Sequence, residues 1–169
     1  MIDITELHAL SQSQLADILA LMKELDPEVD VTPGMIDSVL KAPGSHLFAA
    51  LDACGADVAA KSPVNTTPGT TTSVTAPSPR ILGVATLCVY ESPTGRKASV
   101  EDVVVSQACR GQHIGKRLME HIITFASTNL ADLDLCLTSR PHRVAANNLY
   151  RSLGFQPKET NVYKMPIKR

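Results

Sequence analysis

At 169 residues, 44% of them hydrophobic, the chain is long enough to bury a core as a single domain, and its formal net charge of −1 gives no general attraction for nucleic acid or an anionic membrane. The absence of tryptophan and an aromatic content of 4% exclude a stacking platform for single strands. Cys54, Cys88, Cys109 and Cys136 lack metal-ligand spacing and are too few for a disulfide scaffold, so no metal is expected. No stretch is apolar enough to span a membrane, and the opening MIDITELHAL carries acids where a signal peptide would be basic, then apolar. A reduced, cytoplasmic protein is the expectation.

Ile2-Asp3-Ile4 alternates as a short first strand. Ser11-Gln-Ser-Gln14 has the spacing of a capping box, and Leu15, Ile18, Leu19, Met22 and Leu25 follow at helical period. Asp26-Pro27 stops that helix. Thr32-Pro33 starts a second, through Met35, Ile36, Val39 and Leu40, that ends near Pro43-Gly44. Leu47 to Leu51 is a strand, and Ile81 to Val89 is the next.

Between them, residues 53–79 hold four prolines, many threonines and serines, and little apolar mass to offset ordering entropy. The expectation there is a mobile loop inserted into a hairpin. Its closure costs only about 0.6 kcal/mol per doubling of length.

Ser92-Pro93-Thr94-Gly95 turns the chain towards a strand at Val100 to Val105. Ser106 to Arg110 leads into Gly111-Gln112-His113-Ile114-Gly115-Lys116, and Ile114, Leu118, Ile122 and Phe125 then recur at helical spacing. A helix start that follows a strand and a glycine turn points unpaired N–H groups, with roughly half a positive charge, at whatever lies beyond the strand; a phosphate suits it. Arg110 and Lys116 add charge at the rim. Leu133 to Thr138 is a fifth strand. Pro141 introduces a helix with Ala145, Ala146, Leu149, Tyr150 and Leu153, closed by Gly154. Phe155 to Ile167, with Thr160, Val162 and Tyr163, reads as a closing hairpin. The order of elements is α+β with a mixed sheet.

Two motifs give this order a family. Arg110-Gly111-x-x-x-Gly115 after Glu-Asp-Val-Val-Val resembles the acetyl-CoA signature of the GNAT superfamily of N-acetyltransferases. Ala146-Asn-Asn-Leu149-Tyr150-Arg-Ser-Leu-Gly154-Phe155 resembles a second element of that family, in the right order. The resemblance spans roughly residues 80–165. It implies a three-layer α/β arrangement, a GNAT-like mixed central sheet with helices on both faces, formed by residues 1–169 as one acetyltransferase domain.

The same resemblance implies acetyl-CoA as cosubstrate, with no metal. Its diphosphate would lie on Arg110, Gly111, Gln112, His113, Ile114, Gly115 and Lys116, and its pantetheine arm along the backbone of Val103, Val104 and Val105, left unpaired by a splay of that strand from the next. Asn147 is a further candidate contact. Transfer to a primary amine needs a base, because such an amine has a pKa near 10 and arrives protonated. Glu101, directly or through a water, is the first candidate and Asp102 the second; strand alternation places them on opposite faces. The departing thiolate needs an acid, and Tyr150 occupies the family position. No base adjoins Cys109 or Cys136 in sequence, so direct attack is expected over an acyl-enzyme.

Two positions depart from the family. His113 replaces the middle glycine of the turn, and Arg143 stands where many relatives carry asparagine. The acceptor is a small-molecule or peptide amine. A sugar phosphate held by Arg140, His142 and Arg143 is one option among them, and a homodimer is one available assembly. The rival reading is a non-catalytic acyl-CoA-binding or protein-interaction module on the same fold.

Overall fold

The computed structural model describes residues 1–52, 78–130 and 133–167. The loop expected at 53–79 lies, except for its last two residues, outside the described residues. By internal contacts the chain divides into two compact units, Met1–Thr138 and Ser139–Arg169.

The first unit holds strands β1 (Ile2–Leu7), β2 (Ser45–Asp52), β3 (Arg80–Ser92), β4 (Gly95–Val105) and β5 (Leu135–Leu137), and helices α1 (Gln12–Leu25), α2 (Pro33–Lys41) and α3 (Ile114–Asn129). The sheet order is β1-β2-β3-β4-β5. The first four strands are antiparallel, and β5 joins β4 in parallel. It is the mixed α+β sheet that the sequence implies.

The helices start where the sequence places them. Ser11 Oγ accepts from the Gln14 amide at 3.2 Å and Gln14 Oε1 from the Ser11 amide at 3.1 Å, which completes the capping box. Thr32 Oγ1 accepts from the Met35 amide at 3.3 Å, with Pro33 in the first turn.

Alternation along β2 separates two cores. Leu47 and Ala49 pack with Ile81, Val84 and Val104 against Ile18, Leu21 and Met22 of α1 and Ile36 of α2. Phe48, between them, faces the other side, 5.3 Å from the His121 ring and 5.2 Å from the Phe125 ring of α3. Ile18, Phe48 and Leu118 are fully buried, each worth about 1.5–3 kcal/mol relative to exposure. Helices thus cover both faces of the sheet.

Two boundaries differ from expectation. β4 begins at Gly95, not Val100, because the polar stretch Arg96–Ser99 is held in register by pairing with β3. β5 shrinks to Leu135–Leu137.

The second unit contains α4 (Val144–Ser152) and the segment after it. The closing hairpin is not formed: Phe155 to Ile167 includes no strand, and Val162, Tyr163, Met165 and Ile167 are exposed. Thr160, Val162 and Tyr163 supply strand propensity but no ladder partner, and Pro157 and Pro166 each remove a donor.

Candidate active site

The site begins with an irregularity in β4. Val84 pairs with Val104 and Thr86 with Glu101, so two steps along β3 span three along β4. β4 therefore carries one extra residue, a β-bulge, and Asp102 takes it up with φ 52° in the left-handed region. The strands come unusually close just beyond it: a Cβ at Gly83 would lie 2.8 Å from the Val104 carbonyl oxygen, so only glycine fits there. On the other side, the β4–β5 ladder runs from Ala98↔Leu135 to Val100↔Leu137 and stops. From Glu101 to Val105, β4 has no partner strand on that edge among the described residues.

Glu101 and Asp102 sit where the ladder ends. Glu101 accepts from Ser99 Oγ at 2.5 Å, which places both on one face. The opposing residues of β3 are Cys88 and buried Thr86. At the bulge Glu101 is half-buried and Asp102 exposed, and the two carboxyl groups are electrostatic neighbours. Asp102 is an exposed residue, yet desolvation by the protein around its carboxyl, and then the Glu101 charge, push that carboxyl above its ordinary value of 3.8. Burial also raises the Cys88 thiol, a donor from Ser45 opposes this, and both carboxylates add to the rise, so this thiol is a poor nucleophile.

After β4 the chain makes a short 3₁₀ turn, Gln107–Cys109. α1 holds this turn in place, since Glu24 accepts from the Gln107 amide at 2.8 Å and from Ser106 Oγ at 3.4 Å. Gly111 then adopts φ 81° and His113 φ 58° before α3 begins. The left-handed backbone at His113 gives the family glycine a physical meaning. A histidine tolerates that conformation at about 1 kcal/mol where glycine is unstrained. His113 makes no side-chain cap, and its carbonyl accepts the first helical bond, from Arg117.

The backbone N–H groups of His113, Ile114, Gly115 and Lys116 donate to no acceptor among the described residues. Gly111, Gln112 and His113 are exposed while Ile114 is buried, which anchors the helix start and leaves its amides open. At the rim, Lys116 pairs with Glu120 at 3.7 Å, while Arg110 is exposed. Open amides at a helix start, with a cation beside them, fit a diphosphate.

In the second unit, the Leu149 to Phe155 motif is a helix-ending device. Gly154 takes φ 93°. The Phe155 amide donates to the Tyr150 carbonyl and the Gly154 amide to that of Arg151, each at 3.1 Å, which is a Schellman motif. It lays the Phe155 ring edge-on to Tyr150, with centroids 6.2 Å apart. Tyr150 is 7% exposed as a residue; its hydroxyl has no hydrogen-bond partner among the described residues but is not itself a buried atom, the one buried side-chain oxygen there without a partner being Ser139 Oγ. Burial pushes the Tyr150 phenol above its ordinary value, while the Arg143 charge pulls the other way, so it is protonated at neutral pH. Asn147 spends its amide group locally: Nδ2 donates to the carbonyls of Arg140 and Arg143, each at 3.0 Å, which ties down the turn before α4.

Sequence reasoning passes over Ser99 and Glu24. A serine two residues before a strand carboxylate is a readable signal, since i and i+2 share a face. Glu24 gives none, because its partner lies 83 residues further on.

The sheet and its helices form the fold of an acetyltransferase. A putative acetyltransferase from Agrobacterium tumefaciens str. C58 superposes with TM-score 0.67 at 22% identity, over 97% of this chain and 99% of its own. An aminoglycoside acetyltransferase from an uncultured soil metagenomic sample gives 0.69 at 16%, over 99% and 97%. Glucosamine-6-phosphate N-acetyltransferase from Arabidopsis thaliana gives 0.65 at 14%, over 98% of each chain. Residues 74–157 match the family model of the acetyltransferase (GNAT) domain. The chain belongs to the GNAT N-acetyltransferases. No curated protein is significantly similar to it in sequence.

Proposed function

We propose that the chain, acting as one catalytic domain, transfers the acetyl group of acetyl-CoA directly to a primary amine of a small molecule or peptide. The observation that carries this reading is the run of open amides from His113 to Lys116, just past the stretch of β4 that lacks a partner strand. Those amides, with Arg110, would hold the diphosphate, and the free edge at Val103 to Val105 would bind the pantetheine amides as an added strand does.

Glu101 takes a proton from the incoming ammonium, leaving a neutral nitrogen to attack the thioester carbonyl. The carbon–nitrogen bond forms, the carbon–sulfur bond breaks, and the Tyr150 hydroxyl gives its proton to the departing sulfur. Asp102 lies beside Glu101 and adds negative charge for a cationic acceptor. Two of the structural neighbours are enzymes of amino sugars by name, which supports a small-molecule amine. The test is release of free thiol from acetyl-CoA across a panel of amino sugars, polyamines, amino acids and peptides. The reading expects turnover with at least one class; coenzyme binding without thiol release from any of them would leave a binding module instead.

A further inference from the structure

We propose that Ser99 is a positioning residue that orients the Glu101 carboxylate towards the acceptor amine, a role that rests on the reading of Glu101 as the base. Ser99 Oγ donates to Glu101 Oε1 at 2.5 Å. The two differ in how firmly the sheet holds them. Ser99 is fixed on both sides, paired with Cys88 of β3 and Cys136 of β5, whereas Glu101 is paired with Thr86 alone and is the first residue past the β5 ladder. An anchored hydroxyl thus reaches forward to a carboxylate at the point where the strand becomes free.

Three features make this more than a satisfied serine. A glutamate side chain has three rotatable bonds, and a productive base must be held close to one geometry. The Asp102 charge beside Glu101 favours a swing of its carboxylate outwards, into water; the donated bond opposes that swing. Only Oε1 is engaged, and Oε2 accepts from no donor among the described residues, so one oxygen remains for the proton of the amine. Cys88, which faces Ser99 across the strands, has its thiol raised by burial, is held neutral and does not compete for the role.

The experiment is a double-mutant cycle on kcat and KM with Ser99→Ala, Ser99→Thr, Glu101→Gln and Ser99→Ala/Glu101→Gln. Ser99→Ala is expected to lower kcat about ten-fold, with the KM for acetyl-CoA within about two-fold of wild type, because a misplaced base slows proton removal without loosening the coenzyme. Ser99→Thr keeps the donor on a residue suited to a strand and restores most of kcat. In the Glu101→Gln background, Ser99→Ala changes nothing further. An unchanged kcat in Ser99→Ala, failure of threonine to rescue, or equal losses in both backgrounds would overturn the role. If Glu101→Gln itself turns over at the wild-type rate, the base assignment falls first and the proposal goes with it.

Discussion

Replacing Tyr150 by phenylalanine lowers turnover at least about ten-fold while acetyl-CoA affinity stays near wild type, as expected for loss of an acid used only in the transition state. The substitution removes one oxygen and leaves the packing against Phe155 intact. In an ordinary core, deleting a tyrosine hydroxyl breaks the bond that satisfied it and costs stability. Here the hydroxyl is not a buried atom and breaks no protein hydrogen bond among the described residues when removed, so the same change leaves the melting temperature nearly constant. The two readouts separate cleanly. Lost activity at constant stability supports the acid; lost stability at constant activity returns Tyr150 to the core. The raised phenol also sets a pH expectation: the acid form persists through and above pH 7, so Tyr150 places no titration limb on turnover in the neutral range.

The second large effect is at Glu101. Glu101→Gln preserves the shape of the side chain and can still meet the Ser99 hydroxyl, but it has no oxygen basic enough to take a proton from an ammonium. Turnover falls about 100-fold or more, the usual scale for removing a general base. Raising the pH towards the acceptor's own pKa restores part of the loss, since more of the amine then arrives neutral. Asp102→Asn is the control. It removes a neighbouring charge but keeps a side chain that tolerates the left-handed backbone at that position, and turnover falls far less. The opposite order, with Asp102→Asn abolishing activity and Glu101→Gln tolerated, would move the base one residue along the bulge.

What could be read in advance follows from the range of the physics. Local signals were legible. The capping box at Ser11, the proline start at Thr32-Pro33 and the Gly154 helix end each involve residues within five positions of one another, and each is formed as written. The two family motifs also rest on local geometry: a left-handed turn before α3, and an aromatic pair fixed by a Schellman motif after α4.

The β4 bulge was not legible. Nothing marks Asp102, a non-glycine residue, as left-handed, because the distortion arises between strands that meet only in the folded sheet. The nearest signal is Gly83, whose need for close approach is visible only once its partner is known. The same limit governs Glu24, whose carboxylate organises the turn from 83 residues away. The misread hairpin at Phe155 to Ile167 is the converse case. Thr160, Val162 and Tyr163 favour strands, but strand propensity is a statement about a surface to pack on, and Val162 and Tyr163 remain exposed.

The account depends most on the diphosphate resting on the open amides at the start of α3. Calorimetric titration with acetyl-CoA, alongside acetyl-pantetheine, which lacks the diphosphate, tests that directly. The expected result is saturable binding of acetyl-CoA and at least about ten-fold weaker binding of acetyl-pantetheine, the loss of several charge-assisted bonds. No heat with acetyl-CoA at millimolar concentration, or equal affinity for the two, would contradict it.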